Sequence, residues 1–492
     1  MNIEKFFTNY LLGNFGDNSW LLWEGLRRKY DLYTSSDLGL FGYSNNSLIT
    51  EPLTYYPFLF LSNYINAILL WNIFIILFTG ASFYFSYKLI KKNSHKFDSI
   101  LLSLIWISNS YFSFHSREHL SLMAGFLFPI YLLLEERHKK PALIFKYLFL
   151  IIALGISNYI GVFLIFINSS YSVYKYFKER NRLNLFNLAA GVSFCLSLSA
   201  GLKYQFPNIE RNIDNFLIFS FKPWHLLIQP ERALVNLYNT ENYLNFKNNI
   251  LFTYFENEHS TSFFGFIILI LLGLALWRKY KDNFDNLFLL ASTLIISLPP
   301  IVTIKNLNIY TPSYIFYFLF DQFRVTSRFN IFSFLIVLLI ISSLFKDLGQ
   351  NIKIKIVKVL LTILIILEIF VPFKITNTNS DTEIYKYLRE STTRDSQIIV
   401  YPYEVTNLAF KDMIFIQRKI INPAGYTSIE NNFSAKEFTQ NLSCSNIKNY
   451  QLNSNNLYLL YLKSSEQLNI DKNNLNKIME ENQNILYKIN CQ

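Results

Sequence analysis

The chain has 492 residues, of which 51% are hydrophobic and only 16% are charged, and its formal net charge is +11. A soluble domain carries about 25% charged residues, so this composition excludes an ordinary soluble protein and indicates lipid as the main solvent. The positive charge does not indicate a nucleic-acid partner, because Lys and Arg cluster between apolar segments and no zinc-finger or RNA-recognition motif accompanies them.

Ten apolar stretches approach the length of about 20 residues that a membrane-spanning helix needs. In chain order they are 60–89, 99–114, 121–135, 142–157, 159–176, 184–203, 262–277, 286–304, 329–346 and 354–373. The short ones fit if helices tilt or the bilayer thins locally. The sequence therefore predicts an α-helical polytopic membrane protein with a bundle of about ten spans.

Lys and Arg are concentrated in alternate loops between these stretches. The basic loops surround Lys91, Lys139, Arg180, Lys279 and Lys353. Because basic loops stay in the cytoplasm, the remaining segments are predicted to lie outside. These segments are 1–58, 109–120, 201–261, 305–328 and 374–492. We expect a multi-pass protein of the cytoplasmic membrane with large extracytoplasmic segments.

An even number of spans leaves the N-terminus outside with no span before it. Either a first helix precedes Met1 in the natural protein, which the pattern favours, or residues 5–15 insert in a short form. Three domains are predicted: an outer loop, 1–58, with an interfacial amphipathic helix at 19–30; a transmembrane bundle, 59–373, including outer loop 201–261; and a C-terminal domain, 374–492.

The C-terminal domain is predicted to be a small α/β soluble domain on the outer side, because its composition turns abruptly to Asn, Ser, Lys and Glu. Residues 397–401 are its predicted strand. Cys444 and Cys491 both lie in it, and in an oxidising compartment they could form a disulfide. Their spacing in sequence does not decide whether their Cα atoms approach.

Ionisable residues mark four of the outer segments, and such residues at the membrane edge indicate function. Asp17, in the first segment, has the character of a general base at the mouth of a membrane cavity, or alternatively of a helix N-cap. Glu51 is a second acid in the same loop.

The second segment holds four ionisable side chains within five residues: His115, Arg117, Glu118 and His119. Arg117 and His119 could bind a phosphate. Alternatively, Glu118 and a His could hold a divalent cation. A solvated turn at the membrane interface is the third interpretation.

The remaining two segments carry acids and arginines. Glu256 and His259 precede the stretch at 262, where they could serve chemistry or form an acidic turn that suits the helix dipole. Arg324 and Arg328 are four apart, so on a helix they would share one face. Their predicted outside location favours an anionic ligand such as a phosphate, with snorkelling to lipid headgroups as the alternative.

Nucleotide chemistry has no sequence signature in this chain. The sequence contains no Walker loop, no dinucleotide-binding glycine pattern and no GxSxG elbow. Any group that the protein transfers must therefore arrive already activated.

Several of these motifs, in this order and on this side of the membrane, match a known group of enzymes. They are Gly16-Asp17, His115 and His119 followed by 128–134, 221–230, 256–265, Phe323-Arg324 to Arg328-Phe329, 399–402, and Gly425-Tyr426. The sequence resembles bacterial membrane glycosyltransferases of the GT-C fold, which use a polyprenyl-phosphate-linked sugar. Such enzymes begin with a span before the Asp loop, which this sequence does not show.

The resemblance implies an inverting hexosyl- or pentosyltransferase with Asp17 as the base. Arg117, His119, Arg324 and Arg328 would hold the donor phosphate. Glu118, His115, Glu51, Glu256 and His259 are candidates for metal binding or acid–base chemistry. The only cofactor left open is a divalent cation, Mg²⁺ or Mn²⁺. The implied partners are the polyprenyl-phosphate sugar, membrane lipids and a glycan, lipid or protein acceptor.

Two other functions remain alternatives on the sequence. A transporter or flippase for lipid-linked saccharides would need ionisable residues near the middle of its spans. Glu368, in the last stretch, is the exception among ionisable residues that otherwise gather at span ends. A non-catalytic envelope assembly protein would share the topology but would not depend on Asp17.

Overall fold

The structure, a computed structural model, describes most of the helical region and parts of both termini. The described residues are 10–12, 22, 51–116, 119–135, 140–180, 182–205, 213–230, 233–234, 261–280, 283–304, 307–377, 382–393, 395–401, 418–421, 437–450, 452, 456–462, 470, 472–481 and 484–491. The predicted interfacial helix at 19–30 lies outside them except for Leu22.

Helices dominate the fold, as expected for long apolar runs with few internal glycines or prolines. They are α1 (Pro52–Ser62), α2 (Ala67–Ile90), α3 (Lys96–Ile107), α4 (Ser110–His115), α5 (Leu127–Glu135), α6 (Lys140–Ile156), α7 (Asn158–Glu179), α8 (Arg182–Gln205), α9 (Ile213–Phe219), α10 (Phe266–Lys279), α11 (Phe284–Ser297), α12 (Ser313–Leu319), α13 (Asn330–Asp347), α14 (Ile352–Ile369), α15 (Glu383–Ser391) and α16 (Cys444–Asn449). Short 3₁₀ helices occupy Leu120–Met123, Pro223–Leu227, Thr326–Phe329 and Lys472–Asn474.

The strands in the described residues form three separate sheets. They are β1 (Tyr10–Leu12), β2 (Ile301–Ile304), β3 (Leu307–Tyr310), β4 (Ile375–Asn377), β5 (Gln397–Tyr401), β6 (Lys419–Ile420), β7 (Leu457–Leu462), β8 (Leu475–Glu481) and β9 (Asn484–Ile489). β1 pairs with β4, β2 pairs with β3, and the other five strands follow the order β6-β5-β7-β9-β8.

Three helices in the described part of the chain are long and apolar enough to cross a membrane. They are Ala67–Ile90, Arg182–Tyr204 and Thr326–Asp347, and they make this a multi-pass membrane protein. The other predicted stretches also contain helices, but these do not meet the same criterion, so the total of ten spans stays a prediction. The third span, which ends in α13, is mostly buried within the protein, where α3, α10 and α11 pack against it.

Four predicted stretches differ in detail from the structure. The stretch 60–89 is interrupted at 63–66, between α1 and α2. The stretch 99–114 is interrupted at 108–109, between α3 and α4. The stretch 121–135 begins in a 3₁₀ helix. The stretch 286–304 was predicted as one helix, but α11 ends at Ser297 and the antiparallel β2–β3 hairpin follows. The reason is the Pro299-Pro300 pair, because proline lacks the N–H that would continue a helix and clashes with the preceding turn.

The chain divides into two compact units. One unit comprises Met1–Ile75, Ser116–Leu120 and Lys374–Gln492, and the other comprises Ile76–His115 and Ser121–Phe373. The three predicted domains stay predictions. Residues 10–12 form strand β1, so the interpretation that 5–15 insert as a short span is wrong for these residues.

The C-terminal part of the first unit contains the mixed five-stranded sheet. The predicted strand 397–401 is confirmed as β5, which runs parallel to β6 and β7. β9 runs antiparallel to both β7 and β8. Ile399, Leu459 and Ile489 are fully buried in its core. Cys444 and Cys491 form a disulfide with Cα atoms 5.3 Å apart, which resolves the pairing that spacing left open.

Candidate functional site

The candidate site lies in the second unit, around the segment that connects α12 to α13. Thr326 Oγ1 donates to the carbonyl of Ser297 (3.2 Å), and the backbone N–H of Phe221 donates to the same oxygen (2.8 Å). One carbonyl at the end of α11 therefore joins the arginine-bearing segment to the segment before the 223–227 helix.

Arg328 is buried in an aromatic environment. Its side chain is 8% exposed, and its guanidinium carbon lies 4.8 Å from the ring centroid of Tyr159. Phe323 meets the same ring edge-on (4.9 Å), and the neighbouring Phe329 stacks on Phe163 (4.3 Å). A guanidinium favours the face of an aromatic ring, but burial of its charge is costly unless further partners stabilise it.

Arg324 contacts a different aromatic ring from Arg328. Its guanidinium carbon is 4.6 Å from the ring centroid of Phe219, at the end of α9. The expectation that the two arginines share one helical face is wrong. Residues 320–325 are not helical, and only Arg328 belongs to the 3₁₀ helix, so the side chains rest on different rings.

Arg324 differs in its charge balance from two buried lysines in helices α6 and α14. Lys358 is fully buried and contacts Asp98 at 2.8 Å, and Lys146 contacts Glu135 at 2.9 Å. Within the described residues Arg324, by contrast, has no carboxylate partner and is only partly buried. A cation in this state suits an anionic ligand.

His115 is the last residue of α4, and the positive charge of Arg328 acts on its imidazole. Its imidazole is fully buried, with a ring centroid 4.2 Å from that of Tyr111. Burial lowers the pKa of His115, and the positive charge of Arg328 lowers it further, so the ring is neutral at pH 7. The interpretation of this segment as a solvated turn is wrong for His115, since its side chain is fully buried.

Of the other predicted site residues, the structure describes Glu51 and His119. Glu51 is buried before α1, and its carbonyl accepts from the N–H groups of Thr54 and Tyr55. His119 lies just before the 3₁₀ helix at 120–123. Outside the described residues lie Asp17, Arg117, Glu118, Glu256 and His259.

No metal centre is formed by the described residues. None of their His, Cys, Asp and Glu side chains gather in a group of three or more that could hold an ion. The divalent cation predicted at Glu118 and a neighbouring His stays a prediction, because Glu118 is not among the described residues.

The comparisons with known proteins begin with a sequence family. Residues 51–370 match the family described as a domain of unknown function, DUF6311. The chain belongs to this family. The DUF6311 region includes Glu51, His115, Arg324 and Arg328, whereas Asp17 precedes it. The comparison with curated proteins finds no match.

Two solved structures of archaeal enzymes are similar to the chain at low identity. One is the crystal structure of the Archaeoglobus fulgidus oligosaccharyltransferase with Zn and sulfate. It is 11% identical, the match covers 96% of this chain and 69% of that chain, and the TM-score is 0.46. The other is the oligosaccharyltransferase AglB of the same organism in complex with an inhibitory peptide and a dolichol-phosphate. It is 10% identical, the match covers 92% of this chain and 66% of that chain, and the TM-score is 0.47. Both TM-scores are below 0.5, so neither likeness bears on fold or activity.

The DUF6311 region holds further polar side chains near the site that were not predicted as site residues. His225 is buried in the 3₁₀ helix at 223–227, and its Nδ1 accepts from the backbone N–H of Lys222 (3.2 Å). Burial lowers the pKa of Lys222. The signal for this segment was its place between Pro223 and Pro230, which marks an ordered loop.

Glu368 in the DUF6311 region has a structural role. Its carboxylate accepts from the N–H groups of Phe266 (2.6 Å) and Ile267 (3.4 Å) at the start of α10. The backbone of Gly265 bends there with a φ of +92°. An acid at a helix N-terminus is favoured by the helix dipole and satisfies backbone donors, which explains this buried carboxylate without a transported ion.

Proposed function

We propose that this DUF6311 protein is a membrane glycosyltransferase that moves a sugar from a polyprenyl-phosphate donor to an extracytoplasmic glycan, lipid or protein acceptor. The observation that carries the proposal is Arg324, a partly buried guanidinium on Phe219 that has no carboxylate partner among the described residues. Arg328 lies four residues further along and is buried on Tyr159. Both belong to a segment predicted to lie outside.

The leaving group in this reaction is a lipid phosphate, whose negative charge grows as the sugar departs. A planar guanidinium matches phosphate geometry, and a donor that is fixed beforehand stabilises charge most in a site with little water. Phe219 supports Arg324 from one side, which limits the conformations that its side chain adopts. We assign the donor phosphate to Arg324 and Arg328, with Arg117 and His119 as further predicted ligands.

The bonds and charges balance without a nucleotide or a metal. Asp17 takes the proton of the acceptor hydroxyl, and the acceptor oxygen forms the new bond to the anomeric carbon. The bond from that carbon to the phosphate oxygen breaks with its electron pair on the phosphate. Attack opposite the leaving group inverts the anomeric centre. Glu118, His115, Glu51, Glu256 and His259 stay candidates for metal binding or acid–base chemistry, and no step requires them.

A transporter for lipid-linked saccharides is less well supported. Its substrate site would require ionisable side chains that are available inside the bundle. Glu368 is engaged by the start of α10, and Lys358 is engaged by Asp98. The transporter and the non-catalytic assembly protein are therefore outcomes of the test, and neither is a second proposal.

The test measures release of prenyl phosphate from a prenyl-phosphate sugar by the purified full-length protein in lipid nanodiscs. Arg324→Gln should lower turnover by about 100-fold, the usual cost of removing one donor to a developing charge. Arg278→Gln is the matched control, because Arg278 is an exposed arginine at the end of α10. Equal turnover in both variants would show that Arg324 does not bind the donor phosphate.

The base is tested in the same assay, and the alternative functions are tested with the purified protein reconstituted in lipid vesicles. Asp17→Asn should lower turnover by orders of magnitude while the melting temperature is unchanged, and unaltered turnover would discard Asp17 as the base. If the intact lipid-linked sugar moves across the vesicle bilayer and no prenyl phosphate is released, the protein is a transporter and the glycosyltransferase proposal is wrong. Neither activity with any donor tested would indicate an assembly protein.

A further inference from the structure

Asn72 is a fully buried amide in α2, one of the three candidate spans. Its Oδ1 accepts from the backbone N–H of Leu12 (2.7 Å), and its Nδ2 donates to the carbonyl of Tyr10 (2.7 Å). A buried amide is costly in an apolar helix unless its donors and acceptors are used. Both the oxygen and the nitrogen of the Asn72 amide are therefore hydrogen-bonded to the backbone of strand β1.

Strand β1 is thereby held along both edges. On one edge it pairs with β4, where Leu11 lies opposite Thr376. On the other edge the Asn72 amide supplies one donor and one acceptor, as a neighbouring strand would. Trp71 adds a third bond, because its indole N–H donates to the carbonyl of Leu12 (3.1 Å).

The side chains that hold β1 are themselves fixed by packing. Trp71 is almost fully buried, and Phe58 of α1 meets its ring edge-on with centroids 6.4 Å apart. Leu11, at the centre of the strand, is fully buried. The clamp formed by Trp71 and Asn72 therefore fixes the position of a strand of only three residues.

The strand ends five residues before Asp17 in the sequence, since 17 − 12 = 5. Five residues span at most about 18 Å, so a fixed Leu12 limits where the carboxylate of Asp17 can act. We propose that Asn72 is a positioning residue: its two bonds to strand β1 hold the start of the segment that carries Asp17. This inference rests on the proposed function, in which Asp17 is the base.

Two substitutions separate the loss of the clamp from a loss of charge or volume. Asn72→Leu keeps the shape and removes both bonds to β1. Asn72→Asp keeps the acceptor for Leu12, and its hydroxyl restores the donor to Tyr10 only when the carboxyl group is protonated. Asn168→Leu is the matched control, because Asn168 is a buried amide in α7 whose Nδ2 donates to the hydroxyl of Tyr147.

The first measurement is turnover with the prenyl-phosphate sugar as the pH is varied. Asn72→Leu should lower kcat by about 10- to 100-fold at every pH, the usual effect of a small displacement of a catalytic group, with the KM for the donor unchanged. Asn72→Asp should recover towards wild-type kcat as the pH falls, and Asn168→Leu should follow the wild type. If the leucine variant does not fold, the pH profile of the aspartate variant decides. A pH profile of the Asn72→Asp variant that runs parallel to that of the wild type would overturn the positioning role. A change in KM alone in the Asn72→Leu variant would also overturn it.

The second measurement does not depend on activity. Asn18→Cys provides a thiol beside Asp17, and the native cysteines do not interfere because one pair is a disulfide and Cys195 is buried. Its reaction rate with a charged thiol reagent should change in the Asn72→Leu background and stay constant in the Asn168→Leu background. A changed rate without turnover in any variant would preserve the clamp and reject the glycosyltransferase. An unchanged rate would reject the clamp.

Discussion

The disulfide between Cys444 and Cys491 allows a quantitative prediction about the C-terminal sheet. It links the start of α16 to the residues after β9, across a sequence separation of 47. Closing a loop of this length lowers the entropy of the unfolded chain by about 14 cal/mol/K, which corresponds to about 4 kcal/mol at 25 °C in the chain-entropy treatment. The perturbation is the double variant Cys444→Ser/Cys491→Ser in the full-length protein.

Hydrogen exchange in β7 and β9 measures this effect locally. These two strands pair directly, so their amides exchange when the sheet opens. A loss of about 4 kcal/mol predicts exchange about a thousandfold faster in the double variant, since each 1.4 kcal/mol is a factor of ten. Reduction of the wild-type protein should give the same result. Cys195→Ala, which removes a buried free thiol in α8, is the control and should leave these amides unchanged.

The result that would refute this reasoning is simple to recognise. If the protein isolated without reductant reacts with two equivalents of maleimide at positions 444 and 491, the disulfide does not form in the cell. Disulfides persist in oxidising compartments, so that result would also contradict the predicted outer location of residues 374–492. If the disulfide forms but its removal leaves exchange in β7 and β9 unchanged, the entropic account is wrong.

Two further predictions concern the packing of the helices. Gly265→Ala should lower the free energy of unfolding, measured by thermal unfolding, by about 1–3 kcal/mol, because a Cβ at this positive φ would lie 2.9 Å from Glu368 Oε2. Gly273→Ala is the control and should be neutral or stabilising in the same assay, because its new Cβ would meet no atom within 4 Å. Lys358→Met should cost about 3–5 kcal/mol, because it leaves the carboxylate of Asp98 buried without its cation. Adding Asp98→Leu should recover much of that loss, and an additive further loss in the double variant would contradict this explanation.

Local patterns in the sequence were sufficient for much of the fold. Apolar runs predicted helices, because hydrophobicity over a window of residues is a property of the segment itself. The strand at 397–401 was predicted for the same reason and is confirmed as β5. The Pro299-Pro300 pair was also visible in the sequence, and with the chemistry of proline it explains why α11 stops.

The site depended on contacts that segment-based reasoning does not reach. Arg324 and Arg328 were identified as unusual from the sequence, but a helix was assumed between them. The structure places the two guanidinium groups on Phe219 and Tyr159, which are more than 100 residues earlier in the chain. Which aromatic ring lies under each cation depends on helix packing, for which neither arginine carries a local signal.

The amino-acid sequence by itself determined where apolar helices form, which loops are basic and which residues can carry charge chemistry, because each of these is a short-range property. Only the tertiary structure decided the partners: Glu368 with the start of α10, Asn72 with strand β1, and Cys444 with Cys491. These pairings join distant parts of the chain, and each depends on atoms within a few ångströms whose approach is set by the packing of all the intervening elements.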